Sequence, residues 1–498
     1  MAKGKALYLL VQSLSTTEKR HFRRTAAQHF RKGKLQYLRL FDVLEKMPSF
    51  DPETLKASIP DKALLRQIPL LQHRLQEHLL SFLQQFNAGK TTDSQLFLLH
   101  DKIEILYQRG LIAAARKLLR KARALAESHE QYLHLLRLSD LERKHFFREF
   151  GRQLGDRVSE YRKRDFEYIH DLREQIGYQL HHFDARLLGK AAHSLDDAAD
   201  ISAQLQRHLK DPKSANTTLS AFLRLDARGR LALLEQDFPA AYTAYTDLNT
   251  LVREHPYLAE DHAEIYITGT TNFLNACFRN RRYTEFAAIL EEARRRSFPN
   301  PDHQLRWQEN LLYLELFFRI NRCEFAACRP LAAPIESLLR QYKSRIAQSK
   351  VFTFQFNLCI AHFMQGDWKT ANQWLSRILN APPSDLRRDI QRYAPSFQLV
   401  LLCARGDRDL LAYRLRAWKR KHKAPDAYER AIVGLAAAWM RAESRQAEQA
   451  AVQLFREAFP EKLEEIPGFH PGMLEAICWA ESMVDGRLPG DVFRAYVL

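Results

Sequence analysis

Hydrophobic residues recur along this chain at spacings of three and four, with polar residues between them. That period predicts amphipathic helices almost from end to end. The clearest stretch is 352–383. Leu358 and Phe363 mark a first helix, Gly366-Asp367 a turn, and Trp368, Ala371, Leu375 and Ile378 a second helix. Gly366 can adopt the left-handed conformation that ends a helix, and Pro382-Pro383 cannot continue one. A single hairpin of this kind cannot cover its own apolar face, so copies are expected on both sides.

In chain order, residues 1–90 read as a small helical head or cap. Ser15 and Glu18 form a capping box there, with Leu14 as the staple before it. Residues 95–211 read as a first helical-repeat segment with long helices: Gly110 makes the turn, Ala115, Leu119 and Ala122 the seam, and 153–210 is looser and highly charged. The interruption at 212–216 (PKSAN) is the expected internal boundary. Residues 217–498 read as a second repeat segment with a C-terminal cap, including a Pro-broken loop at 460–471. Its matching positions, Ala241, Phe286, Ala326, Ala371 and Leu411, recur every 40 or 45 residues. The expected fold class is all-α.

Leu358, Gly366, Trp368, Ala371, Leu375 and Pro383 fall where the tetratricopeptide repeat has its characteristic residues, and this stretch resembles that family. The hairpins with Gly110, Ala115, Leu119 and Ala122, and with Gly229, Ala241 and Tyr245, are similar. The signature Trp of the first helix is missing from all three, and 40–45 residues exceeds the family's usual 34. The head and tail (SLSTTEKRHFRR, ICWAESMVDGRL) resemble those of an uncharacterised group of bacterial helical-repeat proteins. The resemblance implies a right-handed α-solenoid of antiparallel helix pairs that binds a protein or peptide on its inner face. By position that face includes Phe97, His100, Glu104 and Tyr107, then Leu223, Asp226, Arg230 and Leu233, then Thr353, Phe356, Ile360 and Phe363. The last group is apolar enough to need cover, either by a partner or by burial.

Composition narrows the classes. Gly is only 17 of 498 residues, about half the usual ~7%, which disfavours Gly-rich nucleotide loops and turn-dense β folds. The net charge of +17 attracts phosphate polymers, anionic surfaces or acidic proteins without choosing among them. All six cysteines sit in apolar runs, so buried free thiols are expected. The start of the chain lacks the features of a signal peptide, and no run of 18 apolar residues occurs, so a cytoplasmic location and no membrane span are expected.

No catalytic or metal constellation emerges. Gly89-Lys90-Thr91 mimics the end of a phosphate loop, but Gln84 stands where its first Gly belongs and a helix precedes it. His181-His182 are adjacent and face different sides of a helix. The chain is therefore expected to be non-enzymatic, with no cofactor. The leading expectation is a scaffold for a protein or peptide partner through His100, Glu104, Tyr107, Leu223, Asp226 and Arg230. The alternative is a nucleic-acid- or ribosome-associated protein. It would use the basic cluster at 20–34 (Arg20, Arg23 and Arg24) with Arg294, Arg295, Lys419, Arg420 and Lys421, and Trp418 would be available to stack. Oligomeric state is not legible.

Overall fold

A computed structural model describes residues 3–29, 35–57, 67–149, 155–191, 202–203, 205–207, 209, 215–342, 345–382, 387–422, 424–459 and 470–497. The expected helix stop at Pro383, the boundary residues 212–214, most of the loop at 460–471, and Lys34 of the first basic cluster lie outside them. The described residues form 24 α-helices and one 3-10 helix, with no strand. The chain divides into two compact units, Met1–Thr270 with Phe298–Pro301, and Thr271–Ser297 with Asp302–Leu498.

The first unit begins with α1 (Lys3–Ser13), α2 (Thr16–His29), α3 (Leu35–Lys46), α4 (Pro52–Ala57) and α5 (Ile68–Asn87). These share an apolar cluster of their own, including Leu7, Val11, Phe22, Phe41, Leu75 and Leu79. The expected capping box opens α2: Glu18 N–H donates to Ser15 Oγ at 3.2 Å, and Ser15 N–H to Glu18 Oε2 at 2.8 Å. Then come α6 (Thr92–Gln108), α7 (Ile112–Ser128), α8 (Tyr132–Glu149), α9 (Gly155–Ala191), α10 (Thr218–Leu234), α11 (Phe238–Glu254) and α12 (Tyr257–Asp261). From α6 onward each of these packs on the next in the series. The loose region of the sequence is largely α9, a single helix of 37 residues and about 55 Å. The phosphate-loop mimic is a helix junction, in which Thr91 caps α6 and the Lys90 ammonium lies 3.7 Å over the Phe86 ring.

Helix α13 (Ala263–Arg279) runs across the division. The second unit continues with α14 (Tyr283–Arg294), α15 (Pro301–Asn321), the 3-10 helix Phe325–Leu331, α16 (Ala332–Gln341), α17 (Gln348–Phe363) and α18 (Trp368–Leu379). It ends with α19 (Arg388–Arg405), α20 (Arg408–Lys421), α21 (Ala427–Arg441), α22 (Arg445–Glu457), α23 (Met473–Asp485) and α24 (Pro489–Val497). From α16 onward the packing partners are mostly neighbours in sequence, and α19 also meets α23. Helix α17 is apolar nearly all round and accordingly packs on the 3-10 helix, α16, α18 and α19, so Phe356, Ile360 and Phe363 are buried. Burial by its own chain thus covers the face that looked too apolar for water. The tail does more than close the last pair: Gly490 N–H donates to Met364 O at 2.9 Å, and the Phe493 and Phe325 rings meet edge to face at 5.7 Å. A Cβ on Gly490 would lie 2.8 Å from that carbonyl, so only Gly permits the return.

One backbone solution recurs at seven interhelical turns. Gly110, Glu130, Gln236, Arg281, Cys323, Gly366 and Gly406 all have positive φ. After each, the next N–H reaches back five residues to a helical carbonyl, as in Leu111 to Leu106, Asp237 to Ala232, Asp367 to His362 and Asp407 to Leu402. This is the Schellman closure, and four of the seven positions use a non-Gly residue in a conformation that Gly adopts more cheaply. Asp237, Asp367 and Asp407 then cap the following helices. From Gln236 the first-helix turns are spaced 45, 42, 43 and 40 residues apart. The residue five places after six of the turns, at Ala115, Ala241, Phe286, Cys328, Ala371 and Leu411, is completely buried, and Leu135, five after Glu130, is 1% exposed. Ala326, the expected match in the third copy, is exposed, and Cys328 takes its place because the turn there lies at Cys323.

Candidate partner-binding groove

The second unit carries a groove of about 820 Å³ along α19 and α20, closed at one end by the C-terminus of α18. Its position follows from two polar stripes. On α19, Arg388, Gln391, Arg392, Pro395 and Gln398 recur at helical spacing on one face, and the run Leu399–Cys403 that follows enters the core. On α20, Arg414, Ala417, Trp418 and Lys421 do the same. Leu379, Ala381 and the stems of the cations give apolar walls. The size and the mixture suit a ligand held by a few polar groups on an apolar floor.

The electrostatics are one-sided. Arg388, Arg392, Arg414 and Lys421 line the groove with His422, and among the described residues no carboxylate does. Arg392 is anchored from behind by Asp426 at 3.1 Å and Glu429 at 3.3 Å, which also form the capping box of α21. Burial would raise the Asp426 carboxyl, but hydrogen bonds from Glu429 N–H and the Tyr393 hydroxyl and the charges of His470 and Arg392 hold it below its usual value. Arg414 Nε is buried without a hydrogen-bond partner. Trp418 is a fixed wall: its indole N–H donates to Ser396 Oγ at 3.0 Å, and its ring stacks on His422 at 4.5 Å with 7° between planes. The surface expected to stack on a base is already occupied by His422.

Of the residues proposed for anion binding, Lys421 lines this groove, and Lys419 and Arg420 are exposed on the same helix outside the lining. Arg294 is paired with Glu291 and Glu315, while Arg295 is exposed. In the head, Arg23 is paired with Asp42 and Glu45, and Arg20 and Arg24 are exposed. Arg388, Arg392, Gln391 and Gln398 were missed by sequence reasoning, and Arg414 was seen only as a further cation of the helix that ends in the basic cluster. The signal on α19 was a polar stripe at three- and four-residue spacing.

The residues assigned to an inner face are largely interior. Tyr107 and Asp226 are fully buried, and Leu223 and His100 are 1% and 6% exposed. Glu104 and Phe97 of that set are well exposed, and Arg230 is half-buried. Tyr107 stacks on His145 at 4.1 Å. Asp226 Oδ2 lies 2.7 Å from His182 Nε2 and accepts from Arg230 Nε at 2.6 Å, which ties α9 to α10. Burial alone would raise the Asp226 carboxyl, but the Arg230 charge and the His182 contact outweigh it and hold the group below its usual range. All six cysteines are buried free thiols, and burial pushes Cys277 and Cys328 up to about 12. Among the described residues no group of three His, Cys, Asp or Glu side chains is placed to hold a metal, and no helix is long and apolar enough to cross a membrane. No protein-family model matches the chain, and no curated protein matches it significantly.

Proposed function

We propose that this protein is a non-enzymatic, cytoplasmic helical-repeat scaffold of the tetratricopeptide-like kind, built from antiparallel helix pairs. It holds an acidic peptide segment of a protein partner in the groove along α19 and α20. The observation that supports this is a lining that holds Arg388, Arg392, Arg414 and Lys421 and, among the described residues, no carboxylate, next to apolar walls. A peptide carboxylate would form charge-assisted hydrogen bonds with the guanidinium groups of the lining. The rigid Trp418 wall and the anchored Arg392 reduce the ordering cost of binding.

Isothermal titration with a Glu/Asp-rich peptide and its Gln/Asn counterpart tests this reading. The acidic peptide is expected to bind, and Arg414→Glu or Lys421→Glu to weaken it at least ~10-fold. Equal binding of both peptides, or none at low salt, overturns it. Nucleic acid is the second reading, favoured by the net charge of +17 and the exposed Arg295, Lys419 and Arg420. Duplex binding that falls steeply with salt while the acidic peptide stays unbound would put it first.

A further inference from the structure

Helix α9 is apolar on two opposite sides. Tyr168, Gln175, His182, Ala185 and Leu188 are turned inward and buried. On the other side Phe166, Ile169, Ile176, Leu180 and Phe183 are 71, 48, 46, 59 and 60% exposed, and exposed Arg173 completes the row. Positions 166, 169, 173, 176, 180 and 183 alternate steps of three and four, which is the a/d seam of a coiled coil. A soluble surface rarely presents so regular an apolar row without a helix to receive it.

The row is close to a palindrome: Phe, Ile, Arg, Ile, Leu, Phe in one direction and Phe, Leu, Ile, Arg, Ile, Phe in the other. Laid antiparallel on itself, it sets Phe166 against Phe183 of a second copy, Ile169 against Leu180, and Arg173 against Ile176. A hollow of about 410 Å³, walled by Val158, Tyr161, Phe166 and Ile169, opens at the N-terminal end of the row. In the antiparallel arrangement the Phe183 ring of the second copy arrives there. At ~200 Å² per side chain, the five apolar residues leave about 550 Å² uncovered. With a polar rim this approaches the ~800 Å² that each partner of a stable dimer buries.

We infer that two copies of this chain associate through α9, antiparallel, about a two-fold axis near Glu174. Such an interface is isologous, so one patch serves both copies. Arg173 lowers the affinity, because in this register it faces Ile176 across the seam.

Sedimentation velocity on the full chain across micromolar concentrations tests this. The wild-type protein is expected to be a dimer, Leu180→Glu to weaken it by ~100-fold, and Arg173→Leu to tighten it. Leu180 is exposed, so circular dichroism of Leu180→Glu should match wild type. The double variant Phe166→Cys/Phe183→Cys is expected to give a disulfide-linked dimer under mild oxidation, and Phe166→Cys alone is not. A monomeric wild type, a dimer indifferent to Leu180→Glu, or equal linking by Phe166→Cys alone, as a parallel pair would give, overturns the inference.

Discussion

His182 on α9 and Asp226 on α10 meet at 2.7 Å in the interior of the first unit, with Arg230 on the same carboxylate. Removing the charge from the middle of this triad leaves the Arg230 guanidinium without its buried counter-ion. Asp226→Asn is expected to cost about 3–5 kcal/mol in urea unfolding. The native carboxyl titrates below its unfolded value near ~4. Its stabilisation is therefore complete above ~4 and is lost as pH falls through the lower native value, and that acid loss should vanish in the variant.

Gly229 faces the Tyr245 ring so closely that a Cβ there would lie 2.6 Å away. In a free helix Gly→Ala gains up to ~1 kcal/mol. Here the sign should reverse, with Gly229→Ala costing about 1–3 kcal/mol by overpacking. Adding Tyr245→Leu should recover part of the loss in the same thermal melts. If Gly229→Ala raises the melting temperature, the contact is not constraining.

Glu130 sits at a turn with φ of 51°, and its carboxylate accepts from Thr218 N–H and Leu219 N–H, both at 2.8 Å. A residue 88 positions away thus caps α10. Glu130→Ala is expected to cost about 1–2 kcal/mol, and Glu130→Gln less. Hydrogen exchange should localise the added opening to the first turn of α10.

Glu475, in the first turn of α23, is pushed up to about 7 by burial, against weaker help from backbone hydrogen bonds. An acid with a raised native pKa binds its proton more tightly when folded. Stability should therefore fall as pH rises from about 4.5 to 7, by about 3 kcal/mol, and level off above. Glu475→Gln should flatten that slope in denaturation midpoints measured across this range.

The period of three and four in the sequence was enough to determine an all-helical chain, because burying one apolar stripe per helix is a local requirement. It also located Gly110 and Gly366, since Gly marks a left-handed turn. It could not locate the same turn at Glu130, Gln236, Arg281 or Cys323, where side chains that avoid that conformation are held in it by the helices on either side. That is why the sequence points to Ala326, two residues from its true counterpart, Cys328. Asp226 and Arg230 fall on an inner face by position in the repeat, but their partner is not legible there: His182 is 44 residues from Asp226 and is brought in only by packing of α9 on α10. The cationic groove needed tertiary structure for the same reason, since Arg392 and Lys421 become neighbours only when α19 and α20 pack. Periodicity is a property of one helix, whereas which face meets water depends on what packs against it.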